Sequence, residues 1–549
     1  MLGPPGPARH RFEWLGWFVA GGLLAVSLTW PLVRHLGDVV PQDAGDPLGQ
    51  AWFLAWPGHA LRTAPTSLFN ANTFWPSSPS YAFSDTLLGY LPASLVGAGV
   101  PAAIVRYDLV FLFAYTVCFA AAALLARELG CRPTAAALAG VAYAWAPWRM
   151  THNGHLNVLS TGGVALTLFL LTSGYRRGRA WQVLAGWAAA AWQLTLGFAL
   201  GIWFAYLLAA LSGLAALVWL WRGRRRLPRA LVVATGAGGA LLLAVTGVMV
   251  RPYLAILSAD PSAARGREQV AFYSPPLRSL LAAPAESRAW GEATQAVRES
   301  LPWPPEQVLF PGLVVTVLAL VGLRWAGARR GLRLGLAGGT ALVLVLSLGL
   351  TVGGGLLYDP LLSYAPGWQG LRTPGRLAFL WSLGLALLAA FGAQQLADAV
   401  ARRTRPWLSP LLALALTAAV AYEGAPALPL APVPARPAAL NGLADPVLHL
   451  PSDSLNDTAY MLWSTDDFTR IGNGSASYLP PALSQLRNAT AGFPDAASVD
   501  VLRALGFRTV VLHRSRLPGT PWDGAADRST NGLDLTRTDD GDVVVYGLW

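Results

Sequence analysis

The chain has 549 residues, of which 54% are hydrophobic and 13% charged, and its mean hydropathy is +0.44. That is more apolar surface than a soluble protein of this size buries, so lipid must form part of its solvent. The formal charge of +11 comes from Arg alone, without any Lys, and it does not point to nucleic acid, because the Arg residues gather in short loops between apolar runs.

A helix needs about 20 residues to cross the hydrocarbon core. Apolar runs of that order predict spans at about 14–33, 107–126, 133–148, 158–174, 180–197, 199–221, 230–250, 308–323, 334–352, 376–397 and 406–424. The first follows Arg9 and Arg11 without a small-residue cleavage site, and so reads as a signal anchor. The Arg clusters set the orientation. Arg9 and Arg11, Arg127 and Arg132, Arg176 to Arg179, Arg222 to Arg229, Arg324 to Arg333, and Arg402 to Arg405 mark successive inner loops. They hold 19 Arg against three acids, Glu13, Glu128 and Asp398.

The alternation closes only if the apolar stretch from Thr86 to Ile104 does not cross. Its Gly89, Pro92, Gly97, Gly99 and Pro101 make it a poor straight helix, and it reads as re-entrant or interfacial. The N-terminus is then cytoplasmic, and loops at about 34–106, 251–307 and 353–375 face outward. Two domains are expected: a membrane all-α bundle of about eleven helices over 1–424, and a small α/β domain over 425–549 on the outer side. The second opens on a Pro-rich linker, Pro426 to Pro437, which favours extended polyproline II. Strand-like PVLHL and TVVLH, a helix-like run from Asp495 to Gly506, and a closing strand DVVVYGL follow.

Chemistry is sought on the outer face. The first outer loop carries Asp38, Asp43 and Asp46, then Asn70, Asn72 and Asp85. A carboxylate there can take a proton from a hydroxyl, although acids in exposed loops more often only solvate them. Asp46 precedes Pro47 and a run with Leu48, Trp52, Phe53 and Trp56 at helical spacing, suited to the membrane interface. Arg149, His152 and His155 fall at the outer end of the third span. Two His at i and i+3 can bind a metal or hydrogen-bond to substrate or backbone, and with no third ligand evident the second reading is preferred. Arg372 and Arg376, with Pro374 between them, suit phosphate oxygens, a lipid headgroup or a loop ion pair.

Other features carry less. Cys118 and Cys131 have neither a disulfide framework nor metal-ligand spacing. There is no P-loop, no GxGxxG after a strand and no HExxH, so nucleotide hydrolysis and dinucleotide chemistry are excluded as expectations. Spans nearly free of charge argue against a transporter lined by ionisable groups. A non-catalytic scaffold for envelope assembly stays open.

The segments GDPLGQAWFLAW, LFNANTFWP, AFSDTLLG, WRMTHNGHLNVLST and GLRTPGRLAF resemble bacterial membrane glycosyltransferases of the GT-C type. NGSASYLPPALSQL and LRALGFRTVVLH resemble the tail of an actinobacterial-style group with a carboxyl-terminal extracytoplasmic domain. The resemblance implies a GT-C fold in a bacterial plasma membrane, a polyprenyl-phosphate sugar as donor, and a glycan, lipid or protein acceptor. It also implies a catalytic acid in the first outer loop. Asp46 matches that place, with Asp85 as a second acidic position and Asp43 in reserve. Such enzymes generally invert the anomeric centre. Some use a divalent metal and others do not; this sequence has no obvious acidic pair for one.

Overall fold

The computed structural model describes residues 12–221, 227–403 and 407–549. Arg9, Arg11, Arg405 and most of the Arg222–Arg229 run therefore lie outside the described residues. The chain divides into two compact units. One comprises 1–31, 110–251 and 260–428; the other comprises 32–109, 252–259 and 429–549.

The first unit is helical. Helices lie at ten of the expected spans, among them Glu13–Leu28, Pro133–Ala144, Ala180–Leu196, Phe198–Trp221, Leu313–Trp325 and Leu408–Glu423. The remaining one, at 107–126, is a single helix Gly99–Glu128, which like Arg229–Ala259 is shared between the units. Among the described residues, six helices are long and apolar enough to cross a membrane. Leu217, Val233 and Leu243 stand exposed on such surfaces, which only lipid solvates without penalty. Close backbone approach holds helices Leu313–Trp325 and Ala378–Arg403 together. A Cβ at Gly322 would lie 2.0 Å from Leu388 O, and one at Gly392 would lie 1.9 Å from Leu318 O. Small residues at both contact points let the helices meet, as in membrane helix pairs generally.

The three acids among the arginine clusters expected to lie inside are all paired. Glu13 receives Arg127 at 2.5 Å, Asp398 receives Arg132 at 2.6 Å, and Glu128 receives both Arg176 and Arg177.

The stretch Thr86–Ile104 forms no span of its own. It makes short turns at Leu88–Tyr90 and Leu91–Ser94, and then enters the long helix at Gly99. Gly97 and Gly99 have positive φ, and Pro101 falls in the first helical turn, where its missing N–H would have no intrahelical partner. The Gly and Pro residues thus set a helix start eight residues ahead of the expected one.

The second unit contains two sheets. Strand β1 (Val39–Pro41) pairs antiparallel with β2 (Leu430–Pro432), with Val40 opposite Ala431. The segment expected to be a polyproline tether is therefore hydrogen-bonded to the first outer loop. The larger sheet has β3 (Val447–Leu450), β4 (Thr509–His513), β5 (Thr536–Asp540) and β6 (Val543–Gly547) in the order β3-β4-β6-β5. Only β3 and β4 run parallel. Both are buried along their whole length, which suits their continuous apolar sequences, whereas edge strand β5, TRTDD, is exposed throughout. Asp495 and Ser498 form a capping box that starts helix Ala496–Ala504, and Gly506 at φ +79° ends it.

This unit also takes in residues 32–109, which pack with the tail. Ile471 N–H donates to Asn72 O at 2.7 Å, Phe74 N–H to Asn473 O at 3.0 Å, and Tyr478 N–H to Phe83 O at 2.8 Å. Helix Asp46–Thr63 packs on helix Ser454–Trp463. A boundary at 424/425 follows composition, but the fold joins residues 32–109 to the tail.

Candidate active site

The second unit holds the three candidate acids. Asp46 begins helix Asp46–Thr63, where a carboxylate is favoured by the unpaired N–H groups and the helix dipole, and it is exposed. Asp43 Oδ1 accepts the Gly45 N–H at 2.8 Å and so shapes the turn leading into that helix. Asp85 is half-buried near Tyr253, whose hydroxyl donates to Ser84 O at 3.0 Å.

The helix behind Asp46 does not lie along a lipid interface. Leu48, Trp52, Phe53 and Trp56 are buried in the unit itself. Trp52 Nε1 donates to Asn72 Oδ1 at 3.0 Å, and Trp56 Nε1 to Leu68 O at 2.7 Å. These indoles fix the helix, and with it Asp46, against its own loop. Helical spacing of aromatic residues alone does not distinguish a lipid-facing stripe from a core-facing one.

The basic candidates belong to the first unit. Arg149 is 1% exposed. Its Nη1 donates to Thr161 Oγ1 at 3.0 Å and its Nη2 to Leu159 O at 2.5 Å, while the rings of Tyr115, Tyr143 and Trp148 lie within 5.9 Å of the guanidinium. It ties the turn Pro147–His152 to the following segment. His152 is buried 5.5 Å from the His155 ring. Burial pulls the His152 imidazole down to about 3, outweighing the opposite pull of the Glu306 carboxylate, so it is neutral near pH 7. Among the described residues, no group of three His, Cys, Asp or Glu side chains is placed to hold a metal.

Arg376 takes the ion-pair reading left open for it, with Glu306, a partner that the sequence did not name. Arg376 Nε donates to Glu306 Oε2 at 2.9 Å, and Nη2 donates to Oε1. Burial raises the Glu306 carboxyl, but Arg376, aided by the neighbouring histidines, overcomes this and holds it at about 2. Because His152 is neutral, Arg376 supplies most of that field. Pro374 starts the turn that carries Arg376, and Pro304 starts the one that carries Glu306.

Arg372 stands differently. Its guanidinium lies 5.2 Å from the Tyr273 ring centre. Arg265 is its neighbour: burial and the charge of Arg372 both lower the Arg265 pKa. Arg265 N–H donates to Gln369 O at 2.9 Å, which ties the two loops together. Two guanidinium groups beside one phenol make a place where an anion gains and a cation loses. Arg265 was visible in the sequence only as one of several Arg in the second outer loop; the contact across more than a hundred residues singles it out.

No protein-family model matches the chain, and no curated protein does. Among solved structures it is similar to the arabinofuranosyltransferase AftD from Mycobacteria, with TM-score 0.55 and 18% identity over 98% of this chain and 40% of that one. The chain thus spans about two-fifths of that protein's length. It is also similar to an oligosaccharyltransferase of Archaeoglobus fulgidus (TM-score 0.45, 12% identity, 91% of this chain and 69% of that one). A third is ArnT from Cupriavidus metallidurans (TM-score 0.39, 13% identity, 98% of each chain). The first of these similarities shows a shared fold, consistent with the GT-C fold that the sequence resemblance implies.

Proposed function

We propose that this protein transfers a sugar from a polyprenyl-phosphate carrier to a cell-envelope acceptor on the extracytoplasmic face of a bacterial membrane. The observation that carries this reading is the fold shared with the mycobacterial arabinofuranosyltransferase over 98% of the chain. Asp46, exposed in the loop that follows the first apolar helix, stands where the sequence resemblance implies a catalytic acid.

In this mechanism the Asp46 carboxylate takes the proton of the acceptor hydroxyl. The hydroxyl oxygen attacks C1 of the sugar, the bond from C1 to the phosphate oxygen breaks, and the anomeric centre inverts. The lipid phosphate departs with its negative charge, the kind of group that the paired guanidinium groups of Arg372 and Arg265 in the first unit favour. Asp85 supports Asp46 or orients the acceptor, and Asp43 shapes the turn before it. Arg376, already satisfied by Glu306, holds the loop that presents Arg372 in position, and His152, neutral near pH 7, and His155 serve as hydrogen-bonding groups. The described side chains do not form a donor set suited to a divalent metal, and no step is routed through one.

All eleven apolar helices cross the membrane in this reading, with the N-terminus cytoplasmic and the tail outside. The pairing of Glu13, Glu128 and Asp398 with Arg127, Arg177 and Arg132 supports this, since it lets acids sit among inner-loop arginines. The test is sugar transfer by the purified protein in lipid, from a panel of polyprenyl-phosphate sugars. Turnover with any donor upholds the reading, and neither turnover nor donor binding across the panel overturns it.

A further inference from the structure

Asn72 lies in the second unit, in the segment LFNANTFWP, and none of the chemistry above uses it. It is 4% exposed, and both sides of its amide are engaged. Oδ1 accepts from Trp52 Nε1 at 3.0 Å, while Nδ2 donates to Ser464 Oγ and to Thr469 O, each at 2.9 Å. The partners settle which way the amide points. An indole N–H can only donate, and the Ser464 hydroxyl gives its proton to Met461 O at 2.7 Å, so Oδ1 faces Trp52 and Nδ2 faces Ser464.

One side chain thereby joins two helices from distant parts of the chain. Trp52 belongs to helix Asp46–Thr63, which starts at the candidate base, and Ser464 directly follows helix Ser454–Trp463 of the tail. The two helices run side by side in the same direction. A Cβ on Gly45 would lie 3.6 Å from Leu455 Cδ1, one on Gly49 would lie 3.5 Å from Thr458 Cγ2, and farther along the Trp56 and Phe468 rings are 5.7 Å apart. Their starts are therefore level, with Asp46 beside the first turn of the tail helix.

Burial alone does not fix this register. The contacts at Gly45 and Gly49 are ordinary van der Waals contacts, each weak and without direction. Hydrogen bonds are directional, and Asn72 makes three. Trp52 stands roughly 9 Å along the helix axis from Asp46 by the rise of an α-helix, so a shift at the indole is passed to the carboxylate within one element. A misplacement of about 1 Å can cost about 10²-fold in rate. Trp52 also packs on Phe53 and Tyr81, with ring centres 4.8 and 6.1 Å away, so the helix stays buried without the amide while its register is freed.

We infer that Asn72 is a positioning residue: acting through Trp52, it sets where Asp46 stands against the tail helix. That this placement serves transfer rests on the function proposed above; the placement itself does not.

The test uses full-length protein in lipid nanodiscs. In the transfer assay, Asn72→Ala is expected to lower kcat at least about tenfold, with KM for donor and acceptor within about twofold of wild type. In an Asp46→Asn background the same change is expected to lower kcat less than about twofold, because a residue that acts through the base has nothing left to position. Trp52→Phe keeps an aromatic ring and removes the N–H. It is expected to repeat both results, and it decides if unfolding temperatures show that Asn72→Ala has lost its fold. Equal losses in the two backgrounds, or no loss in either, overturn the inference.

A second readout does not need turnover. Nitroxides are placed on Asp46→Cys and Leu455→Cys, both at exposed positions, while Cys118 and Cys131 are buried. The distribution of dipolar coupling between the labels is expected to broaden in Asn72→Ala and in Trp52→Phe, and an unchanged distribution in both overturns the inference. Broadening in a protein that transfers from no donor keeps the positioning role and removes the transferase reading. Transfer that depends on Asp46 but runs equally fast in Asn72→Ala does the reverse.

Discussion

Arg376 grips both carboxylate oxygens of Glu306 across 70 residues of sequence, joining the turn before one apolar helix to the turn before another. Both side chains are largely shielded, at 18% and 11% exposure. Removing one partner of such a pair leaves the other charge uncompensated. Glu306→Gln should therefore cost about 3 kcal/mol of stability in thermal unfolding, and the double replacement Glu306→Met with Arg376→Met should recover much of that loss. Equal loss in single and double variants would show that the pair does not act as a unit.

Acid should destabilise the first unit in two steps. The His152 pKa is about 3 in the fold against 6.5 when free, so the unfolded chain binds more protons between those values and stability falls as pH drops below 6.5. The Glu306 pKa is about 2 against 4.5, so its contribution is present above pH 4.5 and is lost as pH falls toward 2. Unfolding followed from pH 7 to pH 3 should show a shallower upper slope in His152→Phe and a shallower lower slope in Glu306→Gln.

Asp46→Asn should lower turnover by about 10²- to 10⁴-fold, the usual contribution of a positioned general base. Donor binding and membrane insertion should be unchanged, because Asp46 is exposed and the Trp52 and Trp56 indoles hold its helix. A fully active variant in the transfer assay would exclude Asp46 as the base.

Arg372→Ala and Arg265→Ala should each weaken the interaction with the lipid phosphate by about 1.5–3 kcal/mol, the range for hydrogen bonds to charged groups, read as a loss in kcat/KM. Arg372→Lys should fall between, since it keeps the charge but loses the planar fork. Arg149→Lys should behave otherwise. It breaks bonds to Leu159 and Thr161 in a buried site, so the folded protein should become less stable while the kinetics of what remains stay near wild type.

Val40 and Ala431 face each other in adjacent antiparallel strands. Opposed residues in such a pair have Cα atoms about 4.5–5.5 Å apart, within reach of a disulfide. The double variant Val40→Cys with Ala431→Cys should therefore form a cross-link on mild oxidation, identified as a joined peptide by mass spectrometry. The native Cys118 and Cys131 are buried and should stay silent. A free polyproline tether would give no cross-link.

The apolar helices were legible because a long apolar run is a local property that needs no partner to be recognised. Each expected span contains a helix, and the errors lie at ends such as Gly99, where Gly and Pro mark a helix start rather than a break. The strands VLHL and TVVLH were equally plain, since full burial on both faces writes a continuous apolar sequence. Edge strand β5, with its exposed TRTDD, has no such signature.

The candidate site was legible in part. Asp46, Arg372 and His152 drew notice by residue type and position. Glu306, in WPPEQ, carries no local mark of its partner, and neither does Arg265. The role of Trp52 was misread because an aromatic residue at helical spacing has the same pattern whether it meets lipid or protein.

By itself, then, the sequence determined where apolar helices lie, the segregation of Arg into particular loops and the two parallel strands β3 and β4 of the larger sheet, all set by the composition of a contiguous stretch. Only the tertiary structure decided that residues 32–109 fold with the tail, and that Arg376 is held by Glu306 while Arg372 lies beside Arg265. These depend on groups brought together from distant parts of the chain, and hydrogen bonds and ion pairs act over a few ångströms of space whatever the separation in sequence.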